Sequence, residues 1–225
     1  GQALAGAVLA LALTLLLTGS RGGFLSSLAG LFVLAIAHAR GRLSRRAVLP
    51  TLALATGFLA VIFVAGGGMI MDRYQAKGTE LGDREDIYRL TIDAIETAPW
   101  AGSGFGTFGD VIPAYQARTE GIEPVWDKAH NTYLENALEL GVPAATALNA
   151  SILWLAGIAL RGMQTRKRDW TIPGIGVAAT VLVGLHAFVD FSLQIPAVAA
   201  LYAFLLGTAV AQAWSSRLAE QGDGA

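Results

Sequence analysis

The chain has 225 residues, 54% of them hydrophobic and 15% charged, with a mean hydropathy of +0.52. A soluble domain carries about a quarter charged residues, and here the apolar residues come in blocks, so the composition specifies an integral membrane protein. A net charge of −1 gives nothing in the total that points to nucleic acid, and the absence of cysteine excludes disulfides and thiolate metal sites.

Six apolar runs follow in chain order. Residues 3–18 and 24–39 are separated by Gly19-Ser20-Arg21-Gly22-Gly23, a glycine-rich stretch that predicts a tight hairpin. Residues 47–71 form the third run, 144–160 the fourth, 172–189 the fifth and 197–214 the sixth. A spanning helix needs roughly 17–25 apolar residues, so the expected fold is all-α and integral to the membrane, with six transmembrane helices. The chain opens on Gly1-Gln2 directly before an apolar run, with no basic leader or small-residue cleavage site. It reads as the C-terminal part of a longer protein.

Orientation follows from the basic residues of short loops. Arg40, Arg42, Arg45 and Arg46 lie between spans two and three, and Arg161, Arg166, Lys167 and Arg168 between spans four and five. Both loops are expected in the cytoplasm. The organisation is then residues 1–71 as three spans with a cytoplasmic basic loop at 40–46, 72–142 as a large outer loop, 143–214 as three more spans, and 215–225 as a cytoplasmic tail. The outer loop carries 6 Lys/Arg against 13 Asp/Glu, so its charge agrees with the far side of the membrane.

The large loop contains helix signals. Asp83 reads as an N-cap, and Ile87, Leu90, Ala94 and Ile95 give one apolar face before Pro99 ends the helix. Gly102-Ser103-Gly104-Phe105-Gly106-Thr107-Phe108-Gly109 reads as a turn. It lacks both the Lys-Ser/Thr ending of a phosphate loop and the strand-helix setting of a dinucleotide fingerprint, so nucleotide binding is rejected. A second helix is expected from near Asp127 to Gly141, with His130, Tyr133, Leu134, Ala137 and Leu138 on its inner face.

Several ionisable residues admit two readings. Arg21, at the outer end of span two, either binds an anion through its guanidinium or snorkels to a lipid headgroup. Arg84 opens the loop's first helix, where a cation opposes the macrodipole; it either pairs with Glu85 or Asp86 or serves a ligand. His130, placed in the first turn of the second helix, would stay neutral there. It fits a general base, or equally a buried histidine bonded to a carbonyl. His186 and Asp190, four apart at the outer end of span five, are either functional or a structural pair locking spans five and six. His38 lies beside the cytoplasmic basic loop and reads as interfacial. Glu123, Asp127 and His130 lack a second nearby histidine, so no metal is expected.

In order, Ser20-Arg21-Gly22-Gly23, Asp83-Arg84, residues 99–108 (Pro99 to Phe108), residues 129–135 (Ala129 to Glu135), residues 139–143 (Glu139 to Pro143) and residues 186–196 (His186 to Pro196) resemble the O-antigen ligase and polymerase superfamily of bacterial membrane glycan transferases. The resemblance covers nearly the whole chain and the C-terminal half of the family's usual length. It implies transfer of a glycan from undecaprenyl diphosphate to an acceptor hydroxyl at the periplasmic face of the inner membrane, without metal, nucleotide sugar or other cofactor. By motif, Arg21 and Arg84 would hold the diphosphate, His130 would engage the acceptor hydroxyl, and His186 and Asp190 would support the site. The partners are then the lipid-linked donor, a lipid or glycan acceptor and membrane lipids. A polymerase and a protein O-oligosaccharyltransferase remain alternatives within the family. A transporter is the alternative from another class, opposed by the absence of charged residues at mid-span.

Overall fold

A computed structural model describes residues 2–41, 78–116, 126–166 and 168–214. Among these residues there are eight α-helices and no strand: α1 (Gln2–Leu17), α2 (Arg21–Gly41), α3 (Gly78–Thr97), α4 (Phe108–Gln116), α5 (Thr132–Leu140), α6 (Val142–Thr165), α7 (Thr171–His186) and α8 (Pro196–Ala211), with a 3-10 turn at Ser192–Gln194 before α8. The expected third span at 47–71, residues 42–46 of the basic loop and the tail after Trp214 lie outside the described residues.

The apolar helices sit close to the runs read from composition. Val142–Thr165 is long and apolar enough to cross a membrane, and only 17% of its apolar window is buried within the chain, so most of its surface needs an apolar surrounding. Apolar segments Gly6–Leu17, Arg21–Ala37, Thr171–His186 and Pro196–Ala211 are shorter than that criterion. They too leave Leu17, Leu31, Leu201 and Phe204 exposed. Exposed apolar side chains on several helices suit a lipid surrounding better than water.

Helix α7 is the hub, packing on α2, α6 and α8. Small residues allow this. A Cβ on Gly176 would lie 2.2 Å from that of Ala209 in α8, and one on Gly30 of α2 would lie 3.0 Å from the Ala178 carbonyl oxygen. Backbone approach of this kind is what holds helices together where lipid removes the hydrophobic drive between them.

The polar segment folds as a small helical module over these helix ends. Ile87, Ala94, Phe108, Ile112, Ala129 and Leu138 form its buried core, with Tyr88, Ile95, Val111, Tyr115 and Trp126 packed around it. The apolar face expected for α3 is therefore the buried one. Burial of side chains the size of Ile87, Phe108, Ile112 and Leu138 stabilises by about 1.5–3 kcal/mol each. Two boundaries early in this module differ from expectation. Helix α3 begins at Gly78 and runs through Asp83, which places Arg84 in its second turn and not at its opening. The run after Pro99 is a turn only as far as Thr107, and α4 follows from Phe108.

Candidate active site

Helix α5 begins at Thr132, later than the Asp127 start expected from the sequence. Asn131 is its N-cap, and the Asn131 side-chain oxygen accepts from the Tyr133 and Leu134 amides at 3.0 and 3.1 Å. His130 consequently lies outside the helix. Its φ of 48° is left-handed, a conformation that costs a non-glycine residue on the order of 1 kcal/mol. The placement of His130 in a helical first turn is thus corrected: a closer and better-oriented cap than Asp127 follows it.

The strained backbone is gripped from several sides. The Tyr88 hydroxyl, on α3, donates to the His130 carbonyl at 3.1 Å. Thr132 N–H donates to the Ala187 carbonyl at 2.9 Å, and the Thr132 hydroxyl donates to the Asp190 carbonyl at 3.0 Å. On the preceding side, the Glu135 carboxylate accepts from the Ala129 amide at 3.1 Å and from Lys128 Nζ at 2.9 Å. Residues 128–132 are therefore fixed by α3, by α5 itself and by the segment after α7.

The His130 ring keeps a quarter of its side chain exposed. Trp126 and Phe191 pack edge-on against it, with ring centroids 5.5 and 5.1 Å away. Its Nδ1 is 3.9 Å from Asp190 Oδ1, while Asp190 Oδ2 is 3.5 Å from His186 Nε2. One carboxylate thus lies between two imidazoles. His186 Nδ1 in turn hydrogen-bonds the Ser192 hydroxyl.

His186 and Asp190 do not share a helix face as their spacing predicts, because α7 ends at His186. The Ala187 carbonyl is committed to Thr132 N–H, and the Phe188 and Val189 amides bond only three residues back. Asp190 Oδ1 caps the Phe191 amide at 2.8 Å. The turn reaches the same proximity by another route, and it docks α5 onto α7 while doing so. Tyr133 adds a second tie, its hydroxyl donating to the Gly184 carbonyl at 2.8 Å.

The two helices that carry the arginines both reach this cluster. Arg21 is the exposed first residue of α2, whose start is capped by Ser20 Oγ accepting from the Gly23 amide at 3.0 Å. That start packs on the histidine-bearing turn: a Cβ on Gly23 would lie 3.6 Å from His186 Nε2, and one on Gly22 would lie 2.5 Å from Val189 Cγ2. Arg84 is half-buried on α3, one turn before Tyr88, and its charge reaches the Tyr88 hydroxyl. Burial nevertheless leaves that phenol above its ordinary value. Tyr88 therefore stays a neutral donor to His130. His38 has no described side chain. Glu123 lies outside the described residues, and among those described no three His, Asp or Glu side chains converge as metal ligands.

Sequence reasoning missed the two buried acids of α5. Glu135 and Glu139 are 0% and 2% exposed, while the expected inner face ran through Tyr133, Leu134 and Ala137, all half-buried. Glu139 Oε1 accepts from the Phe108 amide at 3.1 Å, at the start of α4. An acidic pair four apart on a short helix, beside Thr132 and Leu138 on the same face, was the available signal.

Burial pushes the Glu135 carboxyl above its ordinary range; the Lys128 and Ala129 contacts pull it back, and the charge of Glu139 adds to the rise. The folded state therefore holds this proton more tightly than the unfolded chain. The resulting stability is full below the ordinary carboxylate range and is lost as pH rises through the raised folded value. Glu135→Gln cannot titrate. Chemical-denaturation stability of the wild type relative to this variant is expected to fall as pH rises through that window. Parallel pH profiles would mean that Glu135 ionises as readily folded as unfolded.

The fold and this cluster define a class: a protein helical throughout its described residues, with exposed apolar helices and a histidine–carboxylate–histidine cluster held between a polar helical module and the ends of those helices. A family profile described as O-antigen ligase matches residues 6–149, and the chain belongs to that family. The match runs from α1 into α6 and includes Arg21, Arg84 and His130; His186 and Asp190 lie beyond it. No curated protein matches the chain. Membership places the chain among inner-membrane proteins of lipopolysaccharide and polysaccharide biosynthesis, with glycan-transferase activity of the ligase or polymerase type.

Proposed function

We propose that the protein transfers a glycan from undecaprenyl diphosphate to an acceptor hydroxyl at the periplasmic face of the inner membrane, without metal, as an O-antigen ligase. The observation that carries this reading is His130. It is held in a left-handed backbone, part exposed, with the Asp190 carboxylate on its Nδ1 side and two arginine-bearing helices converging nearby. The same reading takes the chain to cross the membrane six times, with residues 72–142 outside and the two arginine-rich loops inside.

In this mechanism Asp190 favours the tautomer with the proton on Nδ1, so Nε2 is the basic nitrogen. The acceptor hydroxyl gives its proton to His130 Nε2 as its oxygen bonds to the anomeric carbon. The bond from that carbon to the diphosphate oxygen breaks on the opposite side. The departing lipid diphosphate keeps the electron pair, and Arg21 and Arg84 offset the charge that develops on it.

The test is transfer by the purified full chain, given an undecaprenyl-diphosphate-linked glycan and a lipid A–core acceptor in the presence of a chelator. Arg21→Ala and Arg84→Ala are each expected to lower kcat/KM for the donor by about 10–100-fold, the value of a charge-assisted hydrogen bond. Lysine at either position restores only part, because it cannot bond in the bidentate manner. Unchanged kinetics in both alanine variants would remove the arginines from diphosphate binding. Elongation of the donor glycan with no lipid product would replace the ligase reading by the polymerase one.

A further inference from the structure

We propose that Glu135 is a positioning residue for His130, its buried carboxylate clamping Lys128 and the Ala129 amide and so fixing the left-handed backbone that follows. The side chain is fully buried, yet both oxygens reach back past the helix start: Oε1 to Lys128 Nζ at 2.9 Å and Oε2 to Ala129 N at 3.1 Å. Glu135 stands one residue beyond the place from which a capping-box acid bonds the N-cap amide. It grips the residue just before His130 instead. A positive φ at a residue with a side chain persists only where its neighbours over-determine it. On the far side Tyr88, Asn131 and Thr132 supply that restraint, and on the near side among the described residues Glu135 does. Glu139, the other buried acid, serves α4 and does not touch this segment in the same way. The two glutamates thus divide the work of one helix face between two loops.

The effect on transfer rests on His130 being the base; the effect on its conformation does not. The chain has 3 histidines, so imidazole-15N spectra of the labelled full-length protein in nanodiscs resolve three environments. Glu135→Ala is expected to move or broaden the His130 signal, assigned by its loss in His130→Asn, and to lower kcat by about 100-fold with little change in KM for the donor. Glu135→Gln, whose amide oxygen still accepts from Ala129 N–H, is expected to leave the signal in place and kcat within about tenfold. Adding Glu135→Ala to His130→Asn should cost nothing more, since a residue acting only through another is silent once that other is gone. An unmoved His130 signal in folded Glu135→Ala, or a further loss in the double variant, overturns the proposal. Glu135→Asp keeps the charge but shortens the reach, and it gives the same decision on the His130 signal if the alanine variant does not fold. If His130→Asn transfers normally while Glu135→Ala moves the signal, the clamp stands and the catalytic reading of His130 falls.

Discussion

Replacing His130 by asparagine is expected to lower glycan transfer by about 10²–10⁴-fold, the contribution of a positioned general base, while the protein accumulates and melts as the wild type does. Asparagine is the informative substitution because of the backbone. At a φ of 48° alanine would add conformational strain to the loss of the imidazole, whereas asparagine tolerates the left-handed region. The Tyr88 hydrogen bond to the residue-130 carbonyl and the Asn131 cap involve no atom of the imidazole, so both survive. In cells the surface glycan and its precursors read the outcome. Long chains stalled on the carrier lipid mark a blocked ligase; single repeat units mark a blocked polymerase. Full-length surface glycan at normal protein levels removes His130 from the chemistry and moves the transporter reading up.

The parts of the fold that were legible in the sequence are those set by composition along one helix. The apolar runs among the described residues become helices because no Asp, Glu, Lys or Arg interrupts them, and α3 buries the Ile87, Leu90 and Ala94 stripe that its 3.6-residue period marks out. What composition does not carry is where such a helix stops when its last carbonyls find partners elsewhere. Helix α7 ends at His186 because Ala187 is bonded to Thr132, 55 residues away in the chain by their numbers, and Val189 is left to the turn. The start of α5 illustrates a local competition. Asp127 and Asn131 are both cap residues, and only the second has its side chain over the two free amides.

The chemistry was legible as residue types and not as geometry. Arg21, Arg84, His130, His186 and Asp190 were singled out one by one, yet the contact between Asp190 and both histidines depends on the turn after α7, which spacing alone misread as helix. The burial of Glu135 and Glu139 was passed over for a different reason. Reading a helix by its apolar residues assigns every glutamate to solvent. A carboxylate is buried only when specific donors are waiting, here Lys128, the Ala129 amide and the Phe108 amide. Those donors belong to segments whose approach the pattern of α5 does not encode.

Gly141→Ala is expected to destabilise the polar module by about 3 kcal/mol or more, because it combines a forbidden backbone with a clash against main chain. Gly141 closes α5 and opens α6 at φ 79° and ψ 154°, a region that only glycine occupies readily. A Cβ there would lie 2.4 Å from the Trp100 carbonyl oxygen and 3.0 Å from the Ala101 nitrogen. The crossing is mutual, since a Cβ on Gly102 would lie 2.4 Å from both the Glu139 oxygen and the Gly141 nitrogen. Three backbone hydrogen bonds lock the two segments: Ser103 N to Leu138 O at 2.9 Å, Gly104 N to Glu139 O at 2.9 Å and Val142 N to Pro99 O at 2.8 Å. No side chain can rotate away to relieve such a contact, so either residues 99–104, a strap across the α5–α6 junction, lift or the junction itself shifts. Gly106 provides the control. Its φ of 80° is also positive, but a Cβ there meets nothing within 4 Å, so Gly106→Ala is expected to cost only about 1 kcal/mol. Thermal midpoints of the two variants in the same detergent separate strain from clash. Equal shifts would mean that the strap gives way without cost. A much larger shift for Gly141→Ala, with loss of transfer, would show that the strap holding α5 against α6 is also what keeps the His130 loop seated on α7.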